Sequence, residues 1–236
     1  MPGMTTPHPH SGRPHAAHSA IELRGLLEMA FLPWSVPLLM TAPRGDGRPV
    51  LLLPGFMGGE STLIGLKVFL RSRRHHVHTW GQGRNVGFQV KHAQALEQKV
   101  RHLPHATGRR VSVVGWSLGG VFARYGAHRA PECVRSVITL GSPVTVDAAG
   151  SASPPSCFYS LSDGVVPPQE ATVDGDPALH ENIRVPGSHI GQGFNALVLW
   201  IVAERLAQPL GKWLPFAPNG ALGCVYRVMA RAAAAT

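Results

Sequence analysis

Ser117 lies in the run Gly115-Trp116-Ser117-Leu118-Gly119, inside the stretch VSVVGWSLGGVF that spans 111–122. A hydroxyl between glycines at the abrupt end of an apolar segment fits the G-x-S-x-G elbow. There a sharp strand-to-helix turn lifts the serine oxygen above a sheet. The residues two before and two after the serine must be small, because strand and helix nearly collide. Gly115 and Gly119 meet that need, and Gly120 adds room. A serine acting only as a helix N-cap would need no such flanking glycines. The chemistry implied is nucleophilic attack. It requires a base to take the hydroxyl proton and an acid to orient that base.

Three histidines follow Ser117 in the chain: His128, His180 and His189. The aspartates that follow are Asp147, Asp163, Asp174 and Asp176. Which of them meet the serine depends on the elements that carry them. Strands are expected at 49–55, 75–81, 109–115, 133–141, 156–164 and 180–187. Helical spacing fits 61–73, 90–103, 118–128 and 194–208, the last being the clearest amphipathic helix. Strands alternating with helices, several of them apolar enough for burial on both faces, predict an α/β fold with a mostly parallel central sheet flanked by helices.

In such a sheet the ligand sits at the carboxyl ends of the strands, and Ser117 lies where the third strand breaks into a helix. His128 falls at the far end of that helix, and His180 precedes the last strand, on the side away from the serine. His189 follows that strand in the loop GSHIGQG and so lies on the serine's side. Asp163 comes directly after the strand SCFYSLS, and Asp147 after VITLGSPV, both at carboxyl ends. Asp174 and Asp176 sit in a Gly/Pro-containing loop and read as turn residues.

From about Pro49 to Gln208 the chain resembles the α/β-hydrolases, and among them the bacterial serine esterases and lipases. It is more distantly similar to the GPI-inositol-deacylase-like group. Besides the elbow, the resemblance rests on LLLPGFMGG (51–59), VITLGSP (137–143), YSLSDGVVP (159–167) and VPGSHIGQG (185–193). It implies a chain order of nucleophile, acid, histidine, with Ser117, Asp163 and His189 in those roles. The D-G-V-V-P continuation matches the acid loop of the superfamily. Asp147 stays open as the rival acid, since some lipases place the acid one strand earlier.

The resemblance also implies an oxyanion hole formed by the backbone N–H of Leu118 and of Phe56, in Pro54-Gly55-Phe56. Many relatives carry His-Gly there. Pro54 cannot make a histidine's side-chain hydrogen bonds, so this loop must be held otherwise. The site is expected to be shallow and bordered by Phe56, Met57, Trp80 and Trp116, because the segment VTVDAAGSASPPS is too short and small-residued for a helical cap.

Composition bounds the remaining readings. Hydrophobic residues make up 44% of the 236-residue chain and charged residues 15%, which is globular. The formal charge of +9 has its densest runs at Arg71–His76 and Arg109–Arg110, without the interleaved aromatics of a nucleic-acid module. No nucleic-acid partner is expected; peripheral contact with a membrane stays open. Cys133, Cys157 and Cys224 form no disulfide or zinc pattern, and neither cofactor nor metal is implied. Residues 1–19, rich in Pro and His, are expected to be a disordered tail, and 20–236 a single domain beginning with a short amphipathic helix over 21–32. Without a leader or an apolar span, the cytoplasm is the expected compartment.

The function expected is hydrolysis of a small-molecule or polymeric carboxylic ester through an acyl-enzyme. An acyltransferase with the same triad and a non-catalytic binding protein of the same fold are the alternatives.

Overall fold

The computed structural model describes residues 30, 32–144, 155–219 and 223–228. The expected tail 1–19, nearly all of the 21–32 helix, Asp147 and most of the segment between the fourth and fifth strands lie outside the described residues.

Twelve elements carry the site: α1 (Val36–Met40), β1 (Pro49–Leu53), α2 (Ile64–Ser72), β2 (His76–Thr79), α3 (Val90–Thr107), β3 (Val111–Trp116), α4 (Leu118–Arg129), β4 (Val134–Leu140), β5 (Pro155–Tyr159), α5 (Pro168–Ala171), β6 (Glu181–Arg184) and α6 (Ala196–Ala207). The six strands form one sheet in the order β2-β1-β3-β4-β5-β6, and every neighbouring pair is parallel. Among the described residues the sheet is thus wholly parallel where a mostly parallel one was expected.

Helices cover both faces, which is why β1 and β3 are buried at every position. Alternation divides each strand between two cores. Val50 and Leu52 join Leu66 and Leu70 of α2 and Leu199 and Val202 of α6. Leu51 and Leu53 turn to the other face, against Leu96 and Val100 of α3 and Phe122 of α4.

Each strand and helix expected within the described residues is present, with shorter strands. β5 ends at Tyr159 because the next side chain redirects the chain. Ser160 Oγ donates to the Gly187 carbonyl at 2.6 Å and accepts from the Ser162 N–H at 3.1 Å. At the other end, α3 stops at Gly108, whose φ of 68° lets its N–H reach the Pro104 carbonyl at 2.8 Å.

The apolar segment around residues 32–40 packs on the domain. Leu39 joins the core, and Trp200 of α6 donates its indole N–H to Thr41 Oγ1 at 3.0 Å. Residues 223–228 add a last helix, from which the Tyr226 hydroxyl donates to the Arg184 carbonyl at 2.6 Å. Among the described residues no helix is long and apolar enough to cross a membrane.

Candidate active site

The turn from β3 into α4 is built as the glycine pattern requires. Ser117 has φ 54° and ψ −124°, a conformation that costs an L-residue about 1–3 kcal/mol. Its N–H donates to the Leu140 carbonyl at 2.8 Å, and its carbonyl accepts from the Gly120 N–H at 2.9 Å. A Cβ on Gly115 would occupy the Gly119 carbonyl, and one on Gly119 would strike the Leu53 carbonyl. A Cβ on Gly120 would run into the Ser142 hydroxyl. These contacts are to backbone or to a buried side chain, so no larger residue fits without moving a strand. Ser117 itself is half-buried, at the amino end of α4, whose first N–H groups and dipole favour negative charge.

His189 and Asp163 come from the loops after β6 and β5. His189 Nδ1 lies 2.8 Å from Asp163 Oδ2, with side-chain exposures of 7% and 1%. Asp163 is held from several directions. Its Oδ1 accepts the backbone N–H groups of Val165 at 2.9 Å and Val166 at 2.8 Å. Its Oδ2 also accepts from Gln192 Nε2 at 3.0 Å. Gly141, at φ 50°, ends β4 beneath this group; a Cβ there would come within 2.8 Å of Asp163 Oδ2 and 2.7 Å of Gln192 Nε2. The Ser160–Gly187 hydrogen bond ties the acid loop to the histidine loop.

The histidine loop is tied to the serine turn through Trp116, whose indole N–H donates to the His189 carbonyl at 3.1 Å. Asn195 then caps α6, accepting from the Leu197 and Val198 N–H groups at 3.0 and 3.4 Å.

The loop after β1 lies directly over the serine: a Cβ on Gly55 would sit 3.1 Å from Ser117 Cβ. Asn85, 1% exposed, holds this loop. Its Nδ2 donates to the Pro54 carbonyl at 2.8 Å, its carbonyl accepts from the Met57 N–H at 2.6 Å, and its N–H donates to the Gly58 carbonyl at 2.8 Å. Three bonds from one residue therefore fix the turn 54–58, supplying the anchorage that Pro54 cannot.

The expected border residues separate into two groups. Phe56 and Met57 are 62% and 51% exposed at the rim, Met57 at φ 58°. Trp80 and Trp116 are instead 2% and 9% exposed and pack in the two cores, so neither offers an open wall. A buried indole needs an acceptor, and each finds one in a loop carbonyl: Gly83 for Trp80 and His189 for Trp116. Of the remaining candidates, His128 is exposed at the end of α4, and His180 precedes β6 at the opposite end of the sheet. Asp176 accepts from the Ala178 N–H at 2.8 Å in a turn. Gln192 and Asn85 carry no sequence signal; loop amides at these positions have no spacing rule to mark them.

Among the described residues no cluster of three His, Cys, Asp or Glu side chains is placed to hold a metal. The arrangement of a strained serine, a buried histidine–carboxylate pair and a helix amino end suits acyl transfer through an activated hydroxyl.

No protein-family model and no curated protein matches the sequence. Solved structures do match the fold. Lipase B of Aspergillus fumigatus superposes with a TM-score of 0.56 at 15% identity, over 71% of this chain and 55% of that one, so the chain spans about half its length. The mature form of the Bacillus licheniformis lipase BlEst2 gives a TM-score of 0.56 at 14% identity, over 71% and 95% of the two chains. A CIB-like hydrolase from Thermoplasma acidophilum gives 0.51 at 14% identity, over 68% and 86%. The parallel sheet, its flanking helices and these neighbours together give the chain the α/β-hydrolase fold.

Proposed function

We propose that the chain hydrolyses carboxylic esters through an acyl-enzyme, with Ser117 as nucleophile, His189 as base and Asp163 as acid. The observation that carries this reading is the buried 2.8 Å contact between His189 Nδ1 and Asp163 Oδ2, on loops tied to the Ser117 turn.

Asp163 holds the proton on Nδ1, so the lone pair that accepts the serine proton is on Nε2. Ser117 Oγ attacks the acyl carbon while His189 takes its proton, and the carbonyl π electrons move to oxygen. The oxyanion is met by the Leu118 and Phe56 N–H groups. As the tetrahedral intermediate collapses, the C–O bond to the alcohol breaks and His189 protonates the leaving oxygen. Water then repeats the sequence on the acyl-serine, releasing the acid and restoring the hydroxyl. Exposed Phe56 and Met57 at the rim favour an ester with an apolar acyl group.

The test is hydrolysis of p-nitrophenyl butyrate together with labelling by a fluorophosphonate. The purified chain should turn over the ester and take up one label. Ser117→Ala should lose both, with a rate drop of at least about 10⁴-fold. Labelling that persists in Ser117→Ala, or a chain that neither labels nor hydrolyses, would sink the proposal. Adding an alcohol acceptor separates hydrolysis from acyl transfer by the product formed.

A further inference from the structure

The parallel sheet gathers at its amino end the basic residues that the sequence scatters. Arg48 precedes β1, Arg74 and His75 precede β2, Arg110 precedes β3, and Arg135 is the second residue of β4. These four strands are neighbours in the order β2-β1-β3-β4, so their leading residues share one end, opposite Ser117.

Beside them lies a cavity of about 330 Å³. Arg110, Arg135 and Arg205 line it with Ser136, Ser156 and Trp213. That volume is at the small end of the range for small-molecule sites. Arg205 is neutralised by Glu181 at 3.2 Å and Glu204 at 2.5 Å. Asp46 is engaged by Arg48 at 2.8 Å and Arg109 at 3.7 Å. Among the described residues, neither Arg110 nor Arg135 forms an ion pair.

Arg135 is fixed in place, since Nη1 donates to the Leu206 carbonyl at 3.3 Å and Nη2 to the Gln208 carbonyl. That grip closes the end of α6 and is structural. It leaves Nε buried with no acceptor among the described residues. Burial first, and then the charges of Arg48 and Arg110, draw the Arg135 pKa down to about 10 against the opposing effect of Asp46. A bound anion beside the group would relieve that repulsion.

We infer that this cavity binds a small phosphorylated ligand, its phosphate between Arg110 and Arg135 and its organic part against Trp213. Two guanidinium groups match the several oxygens of a phosphate; the lining hydroxyls of Ser136 and Ser156 are already given to Ser112 and Glu181. The indole of Trp213, half-buried outside both cores, supplies a flat apolar wall. The site is separate from the proposed ester chemistry and does not depend on it.

Inorganic pyrophosphate is the probe, added to the full chain at fixed ionic strength and followed by calorimetry and thermal unfolding. Saturable binding is expected, with a Tm rise of about 5 °C or more at a hundredfold excess over Kd. Arg110→Gln should weaken it at least about tenfold. That side chain is exposed and outside the proposed triad, so p-nitrophenyl butyrate hydrolysis and the unliganded Tm should hold. Arg135→Gln should weaken binding further, and Trp213→Phe should remove the fluorescence change on binding. Phosphatidylglycerol vesicles that displace pyrophosphate, where phosphatidylcholine vesicles do not, would identify a lipid headgroup as the source. Failure of both to displace it would identify a free phosphorylated compound. Absence of saturable binding beyond that of sodium chloride, or equal binding by Arg110→Gln, would overturn the inference.

Discussion

Asp163 accepts hydrogen bonds from His189, Gln192 and two backbone N–H groups, so both of its oxygens are committed. Replacing it with asparagine keeps the shape and removes the charge that orients the imidazole. We predict that Asp163→Asn lowers kcat for p-nitrophenyl butyrate by about 10³–10⁴-fold, with KM within about threefold. Steady-state kinetics at neutral pH check this. Activity within about tenfold of the native chain would return the role of acid to Asp147. The sequence makes Asp163 and His189 legible because each follows a strand on the serine's side. Gln192 was not legible: its value comes from lying against Asp163 after two loops close over Gly141, a tertiary proximity with no local pattern. The two indoles misled for a related reason. Aromatic type signals burial or a binding wall equally well, and only packing decides between them.

Element boundaries decide how well the serine is served. The elbow depends on Gly115 and Gly119, whose absent Cβ atoms let β3, α4 and the end of β1 touch, and on Gly120, which lets α4 lie against Thr139 and Ser142. Strand and helix order was readable from apolar runs and glycine turns, because a buried parallel strand must be apolar on both faces. How the turn after β1 is held was not readable. Its anchor, Asn85, lies in the loop after β2 and reaches it only because β1 and β2 are neighbours in the sheet. We predict that Asn85→Ala frees the Pro54 carbonyl and lets the Phe56 N–H drift from its proposed place in the oxyanion hole. The expected result is a fall in kcat of about tenfold or more with KM changed little, since the lost contact serves the transition state. A fall in Tm alone, with kcat preserved, would make Asn85 a purely structural strut.

At the scale of the molecule, one parallel sheet separates two kinds of surface: the proposed acyl chemistry at the carboxyl ends and a basic cluster at the amino ends. Helices that return along a parallel sheet point their carboxyl ends to the amino ends of the strands, which favours cations there and explains how so many arginines are tolerated. His75 is the exception. It is 5% exposed, with its ring against Gly45 and its Nε2 unpartnered among the described residues. Burial above all, with smaller contributions from Arg135 and Arg73 against the opposing one from Asp46, draws its pKa from 6.5 down to about 4. The unfolded chain therefore binds the proton first as pH falls, so the stability from a neutral His75 is complete above 6.5 and is lost between 6.5 and 4. Every added proton also raises a net charge that begins at +9, which works in the same direction. We predict that Tm declines steadily across this window and that His75→Phe, which keeps an aromatic ring in the site, declines less. Calorimetric scans of both chains from pH 7.5 to 4 supply the comparison. Parallel curves would show that acid lability belongs to the net charge alone and that the buried imidazole has no share in it.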